Sequence, residues 1–175
     1  MNGSESTREQ FYLYDCPSLG ITKTDPQFAA WHLKNYVLAM TYAMDMPRAS
    51  RRRYLDVGCG SGYGTEILST LFDVSIGLDS DPKALIYAEK MHRRNERLVY
   101  FEGDAATDGL EWSREEFPPP FNFCTMIEFI EHLPAESAER LFDKLAMVMS
   151  PDGLLVITTP ISRTTTGLNP ENRFH

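Results

Sequence analysis

Residues 54–64 read YLDVGCGSGYG, and this stretch decides the fold. An apolar run from Tyr54 to Val57 ends in alternating glycines and leads directly into a helix pattern. Glycine has no Cβ atom, so it allows the backbone to turn sharply and to approach a ligand closely. The free N–H groups at the start of the following helix point into the same crevice. The stretch therefore predicts a cofactor-binding turn after the first strand of a parallel α/β sheet.

The spacing of these glycines differs from the dinucleotide fingerprint Gly-x-Gly-x-x-Gly. Counted from Gly58, the fingerprint requires its third glycine at position 63, which is Tyr63. Counted from Gly60, it requires that glycine at position 65, which is Thr65. The pattern of a nicotinamide-dependent oxidoreductase therefore fails in both registers.

Two acidic residues accompany the turn. Asp56 stands two residues before the first glycine, and Asp79 stands seventeen residues after Gly62, at the end of the second predicted strand. An acidic side chain at that place can accept hydrogen bonds from both hydroxyls of a ribose. These carboxylates would repel a pyrophosphate, whereas a cofactor with a sulfonium and an ammonium group suits them. Taken alone, Asp79 is better explained by a solvated turn, but the glycines upstream favour ribose binding.

The rest of the chain alternates short apolar runs with helix-length segments, which is typical of a doubly wound, mostly parallel α/β sheet. The predicted strands are Tyr54–Val57, Val74–Leu78, Leu98–Phe101, Phe121–Ile127 and, after a turn at 151–153, Leu154–Thr158. The predicted helices between them are Tyr63–Phe72, Pro82–Arg94 and Ala135–Met149.

The segment before the sheet divides into an arm and a helix. Residues 1–24 form an irregular arm, whose Tyr12 and Tyr14 are expected to pack on the domain or to close over a site. Asp25 followed by Pro26 is typical of a helix start, and Pro47 ends the pattern, which predicts a helix over residues 25–46. We expect residues 25–175 to form a single domain.

Composition excludes several classes of protein. The 175 residues carry a formal net charge of −8, which argues against a nucleic-acid partner, because such binding depends on Lys and Arg releasing phosphate counterions. No run approaches the roughly 18 apolar residues of a membrane span. The three cysteines, Cys16, Cys59 and Cys124, show no zinc-type spacing and cannot all pair as disulfides, which fits a reducing compartment. We therefore expect a soluble, cytoplasmic protein.

The glycine turn and four later strings together resemble the class I S-adenosylmethionine-dependent methyltransferases. Residues 54–64 resemble motif I of this family. Four later segments resemble its following motifs in the same order, namely Ile76–Pro82, Phe101–Ala105, Phe121–Leu133 and Ser150–Pro160. Five motifs in order are far more specific than one. The helix string His32-Leu33-Lys34-Asn35-Tyr36 most resembles the bacterial branch that modifies small molecules and glycans.

This resemblance implies a Rossmann-like fold, S-adenosylmethionine as cofactor, and methyl transfer to an oxygen or nitrogen atom of a small molecule or glycan. The implied cofactor residues are Asp56, Gly58, Cys59 and Gly60 near the methionyl part, Asp79 and Ser80 near the ribose and adenine, Asp104 and Ala105 at the adenine edge, and Ile127 and Glu128 beside the sulfonium and the acceptor pocket. A complete sheet of this family continues into two further strands, whereas Pro160–His175 is a polar tail. The expected sheet therefore lacks its last strands, through either a shortened chain or a natural reduction.

His132 is the candidate catalytic base, because it follows the fourth strand and an imidazole has an ordinary pKa of about 6.5. An equally good explanation is a histidine that bonds to backbone at a helix start. Glu128, Glu131 and His132 also resemble part of the metal site of small-RNA 2′-O-methyltransferases, which leaves a metal-dependent RNA methyltransferase as an alternative. The same letters occur in metal-free relatives, so we expect no metal. A module that binds cofactor without catalysis is the other alternative.

Overall fold

The computed structural model describes residues 10–47, 52–92, 96–105, 107 and 119–160. Its strands are β1 (Arg53–Val57), β2 (Val74–Asp79), β3 (Leu98–Glu102), β4 (Phe121–Ile127) and β5 (Met149–Thr158). Its α-helices are α1 (Pro26–Asp45), α2 (Tyr63–Ser69), α3 (Pro82–His92) and α4 (Ala135–Val148), and single 3₁₀ turns lie at Pro17–Leu19 and Ile130–His132. None of the helices in this part of the chain is long and apolar enough to cross a membrane.

The five strands form one parallel sheet in the order β3-β2-β1-β4-β5. The order reverses between β1 and β4, and in open parallel sheets ligands bind at such a reversal, outside the carboxyl ends of the strands. The predicted doubly wound fold is therefore confirmed. In the part of the chain that the structure describes the sheet ends at β5, and residues 161–175 lie outside that part.

Helices cover both faces of the sheet. Successive side chains of β1 point to opposite faces and are apolar or buried on each. Tyr54 points into a cluster with α1 and α2, which also contains Phe72 and Phe123, whereas Leu55 points into a cluster on the α4 side with Leu141. The helix α1 begins as expected, because the Asp25 carboxylate accepts a hydrogen bond from the Gln27 amide at 2.8 Å. The core thus holds β1, and the turn after it, rigidly at the centre of the sheet.

Most predicted boundaries lie within a residue or two of the observed ones, but those at the end of α2 and the start of β5 are wrong by more, for identifiable reasons. The helix α2 ends at Ser69 because the amides of Leu71 and Phe72 bond three residues back, so the last turn tightens. Residues 151–153, expected to form a turn, lie within β5 as a bulge, because Phe121 pairs with Met149 whereas Phe123 already pairs with Leu154.

Candidate functional site

The glycine turn folds back over the end of β2. Gly58, Gly60 and Gly62 have φ angles of 75°, 53° and 79°, in the left-handed region that favours glycine. The amides of Gly58 and Cys59 both donate to the Leu78 carbonyl, at 2.8 and 3.0 Å. The chain therefore reverses sharply between β1 and α2, as the sequence predicted.

Asp79 joins this turn to the start of α3. One carboxylate oxygen accepts the Gly60 amide at 2.8 Å, and the other accepts the Asp81 amide at 2.9 Å. The side chain is nearly buried, with 6% of the residue exposed at the crevice. A carboxylate is an acceptor with about four lone-pair sites, and the hydroxyls of a ribose are donors of the kind that it binds.

The end of β3 lies beside Asp79. The Gly103 amide donates to the Asp79 carbonyl at 3.0 Å, which brings Asp104 and Ala105 to the same edge. Asp104 and Ser80 are half-buried, and Ala105 is buried against the core. Residues from the ends of β2 and β3 thus share one rim, and this set of donors and acceptors fits a nucleoside.

Asp56 lies beneath the turn with no exposed surface. Its two oxygens accept hydrogen bonds from the hydroxyls of Thr125 at 2.6 Å and Thr65 at 2.7 Å. Burial raises the pKa of Asp56 to about 6, and these hydroxyl donors oppose the rise. Thr65 belongs to the first turn of α2, so the Asp56 carboxyl connects β1 to the start of that helix.

Tyr36 of α1 reaches the same carboxyl from the other side of the turn. Its hydroxyl lies 3.3 Å from one Asp56 oxygen. Its ring lies against Gly64, where an added Cβ would come within 2.1 Å of the ring atom Cζ. Tyr36 belongs to the helix string noted in the sequence, but the contact that requires Gly64 to be a glycine was not foreseen.

Glu128 lies at the exit of β4, after the buried residue Ile127. It adopts a φ of 51°, which costs about 1–3 kcal/mol in a residue with a side chain and is found mostly at functional sites. Its Oε1 accepts hydrogen bonds from the Thr158 hydroxyl at 2.9 Å and from the side-chain amide of Asn35 at 3.3 Å. Burial raises the pKa of Glu128. The next residue, Phe129, packs on Gly58, so this exit borders the glycine turn.

His132 lies on the same edge of the sheet, in the 3₁₀ turn after β4, and its residue is exposed. Its amide donates to the Phe129 carbonyl at 3.0 Å. Glu131 beside it is buried. Within the ranges that the structure describes, no three His, Cys, Asp or Glu residues are grouped in a way that could hold a metal ion. The geometry therefore lends no support to a metal centre built on Glu128, Glu131 and His132.

Thr125, Thr158 and Asn35 are among the polar residues that the sequence analysis did not predict as part of the site. Thr125 lies inside the apolar run of β4, and Thr158 ends β5, where each supports an acidic residue of the site. A polar residue within an otherwise apolar, buried strand was the available signal for Thr125. Asn35 gave no such signal, because it lies 93 residues from its partner Glu128.

Known proteins resemble this chain in sequence over most of its length. A family model described as a methyltransferase domain matches residues 32–172. A ubiquinone biosynthesis O-methyltransferase of Glaesserella parasuis is 29% identical over 143 residues, which cover 80% of this chain and 59% of that protein. A probable S-adenosylmethionine-dependent methyltransferase of Mycobacterium tuberculosis is 26% identical over 83% of this chain and 48% of its own length. The chain thus spans about half the length of these curated relatives.

Solved structures share the fold. The N-methyltransferase NodS of Bradyrhizobium japonicum, in complex with S-adenosylhomocysteine, gives a TM-score of 0.62 at 17% identity, over 81% of this chain and 68% of that one. CalS10, an amino pentose methyltransferase of Micromonospora echinaspora with bound S-adenosylmethionine, gives 0.58 at 23% identity, over 82% and 59%. Together with the match to the family model, the glycine turn and the strand order, this likeness shows that the chain belongs to the class I S-adenosylmethionine-dependent methyltransferases.

Proposed function

We propose that this protein transfers a methyl group from S-adenosylmethionine to an oxygen or nitrogen atom of a small molecule or sugar. The observation that carries the proposal is the 2.8 Å hydrogen bond between the Gly60 amide and the Asp79 carboxylate. It joins the turn that approaches the cofactor to the acid that can accept ribose hydroxyls. The relatives named above include an O-methyltransferase and an amino pentose methyltransferase, which supports this acceptor class.

Each part of the cofactor has candidate partners along the rim. In chain order, we assign Gly58, Cys59 and Gly60 to the methionyl part, Asp79 to the ribose, Ser80, Asp104 and Ala105 to the adenine, and Ile127 with Glu128 to the region of the methyl group. Asp56 has no exposed atom, so we assign it to holding the turn and the start of α2 in place.

The chemistry places modest demands on the protein. Bound S-adenosylmethionine supplies a methyl group already activated by its sulfonium, so alignment of the acceptor can provide much of the catalysis, about 7–11 kcal/mol in the best cases. A base is needed only when the acceptor has a proton to lose. We propose His132 for that role, because its exposed position at the carboxyl edge of the sheet lets it pass the proton to water.

Isothermal titration calorimetry with S-adenosylmethionine and S-adenosylhomocysteine tests the proposal. We expect a dissociation constant in the micromolar range for both and no heat from NAD. Absence of binding by both sulfur compounds to folded protein would refute it.

The alternative is a module that binds cofactor without catalysis, since all but one of the assigned residues serve the cofactor or its turn and His132 alone is proposed for the chemistry. The two functions differ in methyl release. Protein that binds cofactor is incubated with methyl-labelled S-adenosylmethionine and a panel of phenols, amines and amino sugars. Transfer to any member supports the enzyme, and binding without transfer to the whole panel supports the module.

We also propose a cytoplasmic location. It is supported by the cysteines at positions 16, 59 and 124, which are all buried free thiols, as is usual in a reducing compartment. Cell fractionation with an antibody against the protein tests this, and recovery outside the cytoplasm would contradict it.

A further inference from the structure

The chain before α1 crosses the glycine turn. The Ser61 hydroxyl donates to the Phe11 carbonyl, and the Phe11 ring stacks on His32 with 4.4 Å between the ring centroids. Gln10 lies directly on the turn, because its Oε1 is 2.6 Å from the place that a Cβ on Gly60 would occupy. Residues 10–14, which we call the strap, therefore form an outer wall at the proposed methionyl end.

The strap continues towards the proposed ribose end. The ring of Tyr12 packs edge-on against Tyr87 of α3, with 4.8 Å between centroids. Burial raises the pKa of Tyr12 to about 12, and the negative charges of Asp81 and Asp79 contribute to the rise. Tyr12 thus packs on α3, the helix that begins just after the carboxylate assigned to the ribose.

Two strap side chains, Gln10 and Tyr12, carry polar groups that no described residue engages in a hydrogen bond. Gln10 and Tyr12 are half-buried, and among the described residues neither the Gln10 carboxamide nor the Tyr12 hydroxyl makes a hydrogen bond. Both groups keep contact with water, so a ligand in the crevice can reach them. A carboxamide can donate and accept, which suits an amino-acid end, and a phenol can do the same for a hydroxyl.

We propose that Gln10 and Tyr12 are additional cofactor-binding residues, with Gln10 contacting the methionyl carboxylate or ammonium group and Tyr12 contacting the ribose. The inference rests on the proposed function, since it requires S-adenosylmethionine in the crevice. It assigns the side chains of Gln10 and Tyr12 a direct part in binding, distinct from the packing of the strap on the domain.

The strap is fastened independently of these two side chains. The Tyr87 hydroxyl accepts the Tyr14 amide and donates to the Tyr14 carbonyl, each at 3.0 Å. Cys16 and Ile21 form a small antiparallel bridge and pack with Tyr87. Changes at Gln10 or at the Tyr12 hydroxyl should therefore leave the path of the chain intact.

The test compares Gln10→Ala and Tyr12→Phe with the wild type in calorimetric binding of S-adenosylhomocysteine. Each variant removes one hydrogen-bonding group, so we expect each to weaken affinity about 5- to 10-fold and the double variant to weaken it further. Tyr14→Phe is the matched control, because Tyr14 is 57% exposed and bonds to Tyr87 only through its backbone; its affinity should equal that of the wild type.

Thermal unfolding separates binding from folding. Tyr12→Phe should unfold at or above the wild-type temperature without ligand, because the hydroxyl that it removes bonds to none of the described residues, and should gain less from added S-adenosylhomocysteine. Equal affinities of the wild type and the double variant would overturn the inference while leaving the proposed function intact. Absence of binding by the wild type would overturn the proposed function itself.

Discussion

Replacing Asp79 by asparagine tests the central feature of the site, the carboxylate that joins the glycine turn to α3. The carboxylate accepts two backbone amides, at 2.8 and 2.9 Å, and is nearly buried. Asparagine has the same shape but only one acceptor oxygen, so its amide group must face either Gly60 or Asp81 with donor against donor. A hydrogen bond to a charged group contributes about 1.5–3 kcal/mol.

The expected loss in cofactor affinity follows from this geometry. Asparagine disturbs the turn that we assign to the methionyl part and removes the anionic acceptor proposed for the ribose. A cost of about 1.5–3 kcal/mol corresponds to binding weakened on the order of 10- to 100-fold. Calorimetric titration of Asp79→Asn with S-adenosylhomocysteine measures this change directly.

Asp81→Asn is the control, because Asp81 lies two residues away and its side chain accepts hydrogen bonds from the first amides of α3. Its side chain accepts the amides of Lys83 at 2.9 Å and Ala84 at 3.4 Å, and asparagine caps helices as well as aspartate does. Its affinity should stay within about 2-fold of the wild type, given the near-equal capping. If Asp79→Asn binds as tightly as this control, the assignment of Asp79 to the cofactor site is wrong.

Three further predictions concern the support of the turn and the chemistry. Gly64→Ala should lower the free energy of unfolding by about 1–3 kcal/mol in urea titration, because the new Cβ meets the Tyr36 ring, and the loss should shrink in a Tyr36→Leu background. Burial raises the pKa of Asp56 in the folded protein from 3.8 to about 6, so its contribution to the free energy of unfolding is complete below about pH 4 and is lost as the pH rises through 6. This loss amounts to about 3 kcal/mol between pH 4 and 7, and Asp56→Asn should remove it. His132→Gln should slow methyl transfer about 10²- to 10⁴-fold when the acceptor atom must lose a proton, and its affinity for S-adenosylhomocysteine should be unchanged.

Each of these predictions has an outcome that contradicts it. If Gly64→Ala lowers the free energy of unfolding equally in the wild-type and Tyr36→Leu backgrounds, the new Cβ does not collide with the Tyr36 ring. Parallel pH profiles of the wild type and Asp56→Asn would show that the buried carboxyl titrates normally. An unchanged transfer rate in His132→Gln would support the other explanation, a histidine that serves only the local backbone.

Much of the fold could be predicted because its signals are local. The five strands and the doubly wound arrangement follow from apolar runs separated by helix-length segments, and β4 has the predicted bounds Phe121–Ile127. The errors lie where local signals mislead. Residues 151–153 contain proline, aspartate and glycine, which indicate a turn, yet pairing with β4 holds them in a bulge.

The sequence by itself determined the glycine turn, the acid at the end of β2 and the family, because glycine spacing and strand ends are properties of neighbouring residues. Only the tertiary structure decided what surrounds that turn. The hydroxyls around Asp56, the Tyr36 ring on Gly64 and the strap over Gly60 join residues that are distant along the chain; Tyr14 and Tyr87, which fasten the strap, are 73 positions apart. Such contacts depend on how helices and loops pack on the sheet, and no periodicity or spacing in the sequence encodes them.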